Sequence, residues 1–336
     1  MKTDQVKIIE FLKNNESAYP HPVSKIQLKE THISWILLTG KFAYKIKKAT
    51  RFGNILNFSS LPLRRRYCLN EVAINKALCG RMYLGVVKIV PQKNGYQIVS
   101  LSSRFKASEY AVKMVEIPQK YRFDKLLIGN KVTSSMITKL AKKLCEFHKS
   151  APTSSAIKRQ GIPKQIQKKL DEDFATLFKL AKISPVYKRT LASFLKGNEE
   201  LFLNRIRQEK IRDTHGDLYL KNIFITKTRL YLYDRLEFND ILRYGDVCED
   251  LAFLSMDLDF LGKNLIRKNL VNKYIRYSND SDLSRLLPFY MCHKACIRAK
   301  VNFFFATNSK EPAARNAHLQ TARKFLKLAR TYFDCL

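Results

Sequence analysis

The chain has 336 residues, 46% of them hydrophobic, with one Trp, 16 Tyr and 21 Phe. This composition can fill the cores of two modest domains or of one bilobal domain, and it excludes a disordered or low-complexity protein. The 62 Lys and Arg residues against 29 Asp and Glu residues give a net charge of +33, which attracts polyanions and repels polycations unless it reflects a generally basic proteome.

No segment reaches eighteen uninterrupted apolar residues, and the first twelve residues carry acids within a helical pattern. These features predict a soluble, unexported, cytoplasmic protein with no membrane partner. The seven cysteines are odd in number, scattered through apolar segments and never spaced as C-x-x-C. They are therefore expected to be buried free thiols in a reducing compartment, not a disulfide framework or a zinc site.

The N-terminal third alternates between strand-like and helical patterns. Apolar periodicity and turn residues predict one helix at 5–14, a meander of strands at 26–30, 35–38 and 42–47, a helix at 61–78, and strands at 86–90, 96–101 and 109–115. Five or six strands with one inserted helix make a small α+β lobe.

Two charged residues of this lobe suggest a phosphate-binding element. The segment Ala43-Tyr44-Lys45 has the form of the kinase strand lysine that pairs the α- and β-phosphates of ATP. Lys47 shares its strand face through the period of two and is the alternative. Glu71 is the sole acid in the predicted helix 61–78, so we expect it to form an ion pair with Lys45.

The turn between the first two predicted strands contains no glycine-rich loop. It reads Thr31-His32-Ile33-Ser34. Backbone N–H groups together with the hydroxyls of Thr31 and Ser34 can cradle phosphate without glycine. A plain polar turn explains the same residues equally well.

From residue 123 onward the patterns are helical, at about 132–149, 164–181, 185–208, 246–260, 264–278, 283–306 and 314–333. One polar loop interrupts them, with Asp217 in His215-Gly216-Asp217 and Asn222 five residues later. Two short strands at 222–226 and 230–233 then lead to Asp234, and the hairpin they form would fold Asp234 back beside Asn222.

Together these three residues supply what phosphoryl transfer from ATP requires. A carboxylate must accept the proton of an attacking hydroxyl, and hard oxygen ligands must hold Mg²⁺ against the phosphates. The spacing matches the kinase signature, with Asp217 as catalytic base and Asn222 and Asp234 as metal ligands. Any one of these residues alone is better explained as part of a surface turn or strand end, and it is their joint spacing that is specific.

The chain resembles the aminoglycoside phosphotransferase family of the kinase-like superfamily, especially a bacterial branch of uncharacterised members that sometimes occur fused to a P-loop kinase. The resemblance covers about residues 24–280 and rests on segments 31–35, 43–48, 83–86, 110–114, 215–218 with Asn222, 234–239, and 246 with 249–254. The sequence departs from the common pattern at Tyr219, where relatives usually have His, and at Arg235.

The resemblance implies a bilobal protein-kinase-like α+β fold, with a small β-rich lobe at 1–113 for the nucleotide and a larger, mainly helical lobe at 114–336 for catalysis and substrate. It implies ATP and Mg²⁺ as cofactors. It implies a hinge from Val112 to Met114 whose backbone takes the adenine. Asp246 and Asp250 are expected to support the catalytic loop, although a capping or ion-pair role is their default reading.

The acceptor is expected to be a small molecule with a hydroxyl group, neutral or anionic. Residues 296–336 contain eight Lys and Arg residues against two Asp and Glu residues, which disfavours polycationic aminoglycosides. Basic clusters interleaved with Tyr and Phe leave an RNA or protein acceptor open, and a non-catalytic nucleotide-binding protein is a further alternative.

Overall fold

The computed structural model describes residues 2–53 and 55–336, with only the backbone for Lys2 and Thr3. The α-helices in chain order are α1 (Lys2–Asn14), α2 (Leu61–Cys79), α3 (Phe123–Ile128), α4 (Ser134–Ser150), α5 (Ser155–Lys158), α6 (Pro163–Leu180), α7 (Val186–Gly197), α8 (Glu199–Arg207), α9 (Val247–Phe260), α10 (Asn264–Ser278), α11 (Leu283–Asn308) and α12 (Pro312–Thr331).

The strands in chain order are β1 (Gln27–Glu30), β2 (Ser34–Leu38), β3 (Phe42–Lys47), β4 (Arg51–Phe52), β5 (Leu56–Asn57), β6 (Tyr83–Gln92), β7 (Gly95–Ser100), β8 (Glu109–Val115), β9 (Ile211–Asp213), β10 (Ile223–Ile225), β11 (Leu230–Leu232) and β12 (Tyr244–Asp246). Strands β3 and β8 have the predicted bounds. The remaining predicted strands are present with shifts at their ends.

Contacts divide the chain into two units. Unit 1 comprises Met1–Tyr121 with Thr226–Asp240, and unit 2 comprises Arg122–Ile225 with Ile241–Leu336. This differs from the predicted division between residues 113 and 114. The segment 226–240 joins unit 1 because it bonds to α2: the Cys79 thiol donates to the Leu232 carbonyl over 3.1 Å, and the Arg235 N–H donates to the Asn75 side chain over 2.8 Å.

Unit 1 is built on an antiparallel sheet with the strand order β1-β2-β3-β8-β6-β7. Successive side chains of a strand point to opposite faces, and β3 uses both. Tyr44 and Ile46 are buried in an apolar core with residues of α1, whereas Lys45 and Lys47 contact Glu71 of α2. The two helices therefore cover opposite faces of the sheet.

Local signals explain where the principal helices begin. Ser60 accepts a hydrogen bond from the Leu63 N–H at the start of α2, and Thr133 accepts one from the Met136 N–H at the start of α4. Asp246 caps α9 by accepting from the Cys248 N–H. A side-chain oxygen at each of these positions satisfies an N–H group that has no partner within the helix.

Unit 2 is a packed set of helices with one short strand pair, in which β9 pairs antiparallel with β12. The predicted helix 185–208 is wrong as a single element: α7 and α8 are separate because Asn198 leaves the helical conformation, at φ −123° and ψ 27°. Helix α3 and strands β9 and β12 were not predicted. Their three to six residues are too few for a periodic pattern to stand out.

Six of the seven cysteines are buried free thiols, as predicted, but Cys335 is exposed. It lies in the last turn of the chain, beyond α12, where few neighbours can cover it. None of the helices in the described part of the chain is long and apolar enough to cross a membrane.

Candidate active site

Lys45 lies at the centre of a cluster of buried charges in unit 1. Its Nζ is 2.8 Å from Glu71 Oε1 and 2.5 Å from Asp234 Oδ1. The expected ion pair between Lys45 and Glu71 is therefore present. The lysine joins two residues that the sequence singled out for separate reasons, one on helix α2 and one after strand β11.

Lys47, the alternative lysine, also contacts Glu71. Its Nζ lies 2.6 Å from Glu71 Oε2, and the same ammonium group donates to Glu237 Oε1. The two lysines thus occupy one carboxylate oxygen each. Glu237 was missed by the sequence reasoning, since an acid between Leu236 and Phe238 gives no local sign that it is buried and paired.

The four buried members of this cluster shift one another's proton affinities. Burial lowers the pKa of Lys45, but the charges of Asp234, Glu71 and Glu237 outweigh it and hold that pKa well above its usual range. Burial raises the pKa of Glu71, but the two lysines outweigh it and bring it to about 2. For Glu237 burial prevails over Lys47, and its pKa is raised.

The lowered pKa of Glu71 predicts an acid-sensitive contribution to stability. A carboxyl group whose pKa falls on folding stabilises the folded state above its unfolded value, here 4.5, and this contribution disappears as the pH falls towards about 2. In Glu71→Gln the free energy of unfolding, measured with urea between pH 2 and 7, should lack that fall. The exposed Glu199→Gln variant is the control, and an unchanged pH dependence in Glu71→Gln would contradict the assignment.

Asp234 has an unusual backbone conformation. Its φ of +66° lies in the left-handed region, and its N–H donates to the Tyr83 hydroxyl over 3.2 Å. Residues other than glycine are uncommon in this region, although aspartate and asparagine adopt it more readily than most, and backbone strain of this kind is concentrated at functional sites. With 37% of its side chain exposed, Asp234 is the member of the cluster open to a ligand.

The loop of unit 2 that carries Asp217 is held by hydrogen bonds within itself. Asn222 donates from Nδ2 to the Asp217 carbonyl over 2.9 Å, and its N–H donates to the Tyr219 carbonyl over 2.9 Å. Gly216 adopts φ +81°, and a Cβ there would lie 3.1 Å from the Leu242 carbonyl oxygen. The His-Gly-Asp sequence therefore needs its glycine for both conformation and space.

Asp250 supports this loop from helix α9. It accepts from the His215 N–H over 2.7 Å, from the Gly216 N–H over 3.0 Å and from His148 Nε2 over 3.1 Å. Burial raises the pKa of Asp250, but its hydrogen bonds to His148 and His215 lower it overall. The prediction that Asp250 supports the catalytic loop agrees with these contacts.

Asp246 has the capping and ion-pair role that was its default reading. It binds Arg205 through two hydrogen bonds of 2.7 and 2.8 Å, in addition to capping α9. Arg205 is fully buried and also contacts Asp280. This ion pair fixes the start of the helix that carries Asp250.

Thr31 and Ser34 lie at the β1–β2 turn, as predicted, but their hydroxyl groups differ in setting. Thr31 Oγ1 accepts from the Ser34 N–H over 2.9 Å, so this hydroxyl closes the turn. Ser34 is fully buried. Thr31 Oγ1 also donates to the Ser34 carbonyl over 3.1 Å. The phosphate-binding role of this pair therefore remains a prediction, carried more by the turn backbone than by either hydroxyl.

Val112 and Met114 lie inside the sheet, in strand β8. Val112 faces Lys45 on one side and Val86 on the other, while Met114 faces Ala43 and Tyr83. In a strand that is paired on both sides, the backbone N–H and C=O groups are hydrogen-bonded to the two neighbouring strands. The backbone of Val112 and Met114, expected to take the adenine, is therefore engaged in strand pairing, and these two residues offer buried side chains instead.

The candidate metal ligands belong to different units, Asn222 to unit 2 and Asp234 to unit 1. Their chemistry fits Mg²⁺: Asn222 uses Nδ2 within its loop, which orients its side-chain carbonyl as the free oxygen donor, and Asp234 presents a partly exposed carboxylate. Carboxylate and amide oxygens are ligands of hard divalent cations.

Comparisons with known proteins place these features in context. No protein-family model matches the chain. An uncharacterised protein of Mycobacterium tuberculosis is 30% identical over 327 residues, covering 94% of this chain and 63% of the relative. A protein of Mycobacterium bovis, also uncharacterised, matches to the same extent. The chain thus spans about 63% of the length of the curated relatives it matches.

Solved structures resemble the chain over most of its length. An ethanolamine kinase of Plasmodium vivax has a TM-score of 0.52 at 13% identity, covering 92% of this chain and 84% of its own. A choline kinase of Cryptosporidium parvum has a TM-score of 0.52 at 11% identity, covering 99% and 95%. The chain has a kinase-like fold.

The predicted fold class is therefore confirmed: a β-rich unit and a larger helical unit make up a kinase-like chain. The kinase-like fold that the resemblance implies is confirmed. A GDP complex of an aminoglycoside 2'-phosphotransferase also matches, with a TM-score of 0.49 at 12% identity, covering 97% of this chain and 98% of its own.

Proposed function

We propose that this protein is an ATP- and Mg²⁺-dependent phosphotransferase that moves the γ-phosphoryl group to a hydroxyl of a small molecule. The observation that carries the proposal is the position of Lys45, whose ammonium group joins Glu71 and Asp234 in a kinase-like fold. This lysine–glutamate pair and a metal-binding aspartate are the parts that active kinases require together.

Asp217 is the proposed catalytic base. It accepts the proton of the acceptor hydroxyl while that oxygen bonds to the γ-phosphorus, the bond to the bridging β–γ oxygen breaks, and ADP leaves with the electron pair. Lys45 would bind the α- and β-phosphates, with Glu71 holding its position. The turn at Thr31 and Ser34 would cover the phosphates.

Asn222 and Asp234 would hold Mg²⁺. When bound, the ion supplies positive charge that neutralises the β- and γ-phosphate oxygens. The hydrogen bond from Asn222 to the Asp217 carbonyl keeps the proposed base and a proposed metal ligand in one fixed loop. Their relative position therefore does not depend on the motion of long side chains.

The acceptor is proposed to be neutral or anionic. Helices α6, α9 and α11 place four cations beside three carboxylates in unit 2: Lys169, Lys294, Arg298 and Lys300 beside Asp173, Glu249 and Asp257. The excess of cations in this cluster is small, but together with the net charge of +33 of the whole chain it disfavours polycationic drugs. Proteins with this fold include kinases named for ethanolamine and choline, which are small cations, so the fold supports a small acceptor and the proposed charge of the acceptor rests on this chain's own residues.

Asp217→Asn tests the proposed reaction. Loss of a general base costs about 10²- to 10⁴-fold in rate, so ADP formation with an accepted substrate should fall by that factor while ADP still raises the melting temperature. The control is Asp334→Asn, the same change at an exposed aspartate. Equal rates in Asp217→Asn and the wild type would remove Asp217 from the mechanism.

The acceptor is found by screening neutral sugars, nucleosides, phosphorylated metabolites, an RNA and kanamycin, with mass spectrometry of the products. We expect phosphorylation of a neutral or anionic small molecule. Phosphorylation of the RNA would instead support the hypothesis that the basic surface binds a nucleic-acid acceptor. Efficient kanamycin phosphorylation would contradict the charge argument.

A further inference from the structure

Arg298 lies between two aromatic rings in unit 2. Its guanidinium carbon is 5.1 Å from the centre of the Tyr219 ring and 5.4 Å from that of Phe325. Tyr219 in turn stacks on Phe253, with ring centres 5.8 Å apart. Stacking on ring faces fixes the plane of the guanidinium and leaves its edge, which carries the N–H donors, open to a planar acceptor.

The guanidinium forms no hydrogen bond and no ion pair with the residues that the structure describes, and its Nε is buried without a partner. Lys294, one helical turn earlier on α11, differs in this respect because its Nζ lies 2.7 Å from Glu249. Positions i and i+4 share a helix face. One cation of this face is thus neutralised within the protein, and the other is not.

Asp257 is the acid that interacts electrostatically with Arg298. It does not occupy the position of a bound anion, because its carboxylate forms a hydrogen bond elsewhere. The Asp257 carboxylate accepts from the Leu220 N–H over 3.0 Å. Burial raises the pKa of Asp257 despite the opposing effect of Arg298. The Nε donor is buried, so the four donors of the two Nη groups, on a guanidinium that is always charged, are the ones that remain available for a ligand.

Arg298 is near the proposed base. Tyr219 follows Asp217 by two residues, so their Cα atoms are at most about 7 Å apart. A small molecule whose hydroxyl reaches Asp217 can therefore extend towards the ring on which Arg298 stacks. The same tyrosine replaces the His that is usual in the family that the chain resembles.

We propose that Arg298 binds an anionic group of the acceptor, a phosphate or a carboxylate, while Asp217 faces the hydroxyl to be phosphorylated. This inference rests on the proposed function for its acceptor and narrows that acceptor to hydroxyl compounds that carry an oxyanion. Two parallel N–H donors of arginine match two oxygens of either group, and the pairing is stronger than a neutral hydrogen bond.

Matched acceptors test the proposal. Glycerol is compared with glycerol 3-phosphate and glycerate, and glucose with glucose 6-phosphate and gluconate. In the wild type we expect kcat/KM to favour an anionic member of a series by about tenfold or more, the scale of one charge-assisted contact. Arg298→Met should remove this preference by raising KM for the anionic member, with the KM for ATP unchanged.

Two further variants separate recognition from packing. Arg298→Lys keeps the charge but loses the two-donor edge, so it should retain part of the preference and the wild-type melting temperature. Arg189→Met is the control, since Arg189 is an exposed arginine of α7, and it should leave the preference unchanged. A rise in the KM for ATP in Arg298→Met, with acceptor KM values unchanged, would assign Arg298 to the nucleotide and overturn the proposal.

Calorimetric titration with inorganic phosphate gives a readout that needs no turnover. The site is supported if phosphate binding is weaker in Arg298→Met and unchanged in Arg189→Met. Phosphate bound elsewhere on the protein would give the same result in both variants. If the wild-type protein transfers no phosphoryl group from ATP, the proposed function is refuted. The phosphate titration then still tests whether Arg298 forms an anion-binding site. Equal phosphate binding in both variants, together with equal use of neutral and anionic acceptors, refutes this inference only.

Discussion

Asp234→Asn is expected to abolish phosphoryl transfer while leaving the fold intact. Removing the carboxylate charge takes away a proposed Mg²⁺ ligand, and the transfer step depends on the charge that the ion supplies. Asparagine is the suitable replacement because it tolerates the left-handed backbone of residue 234, at φ +66°, better than alanine does. Lys45 keeps Glu71 as its second partner, so its charge stays paired.

Product formation is measured at saturating ATP over a series of Mg²⁺ concentrations. The melting temperature of each variant is measured as well. Asp334→Asn again serves as the matched control, and Asp234→Ala shows how much strain the alanine adds at this backbone. Turnover of Asp234→Asn at the wild-type level would remove Asp234 from the metal site. An equal loss of activity and of melting temperature would assign the residue a structural role instead.

Lys47→Met is expected to cause the largest loss of stability in unit 1, about 3–5 kcal/mol, the scale of removing one partner from a buried ion pair. Lys47 contacts two carboxylates, Glu71 and Glu237, that have almost no solvent exposure. Without it, Glu71 keeps Lys45, but Glu237 loses its ion-pair partner. Methionine preserves the unbranched apolar part of the side chain, so the change reports mainly on charge.

Urea unfolding of a double-mutant cycle checks this result. Glu237→Gln in the Lys47→Met background removes the carboxylate that was left without a partner, and should restore part of the stability. The exposed Lys93→Met in the β6–β7 turn should change the free energy of unfolding by no more than about 0.5 kcal/mol. A change of that small size in Lys47→Met would show that the buried contacts contribute little.

The sequence predicted eight of the twelve strands and most helices in the described part of the chain, because their signals are local. Strand β8 is bounded by polar segments, and α9 begins at a capping aspartate, Asp246. The break at Asn198 and strands β9 and β12 escaped prediction, because a short element is fixed by pairing with residues far along the chain. The same limit explains the adenine-binding backbone: that Val112 is paired on both sides follows from strand order, which no local pattern encodes.

The residues of the candidate site also fall into those that the sequence predicted and those that only the tertiary structure revealed. Asp217, Asn222 and Asp234 were predicted from their spacing, because the kinase signature places these residue types at short, fixed intervals along the chain. Only the tertiary structure decided three other features of the site. Glu71 contacts two lysines, and Glu237 contacts one of them. Arg298 lies between Tyr219 and Phe325. These contacts join residues far apart in the chain, and burial gives a charge its strength only once the fold has excluded water.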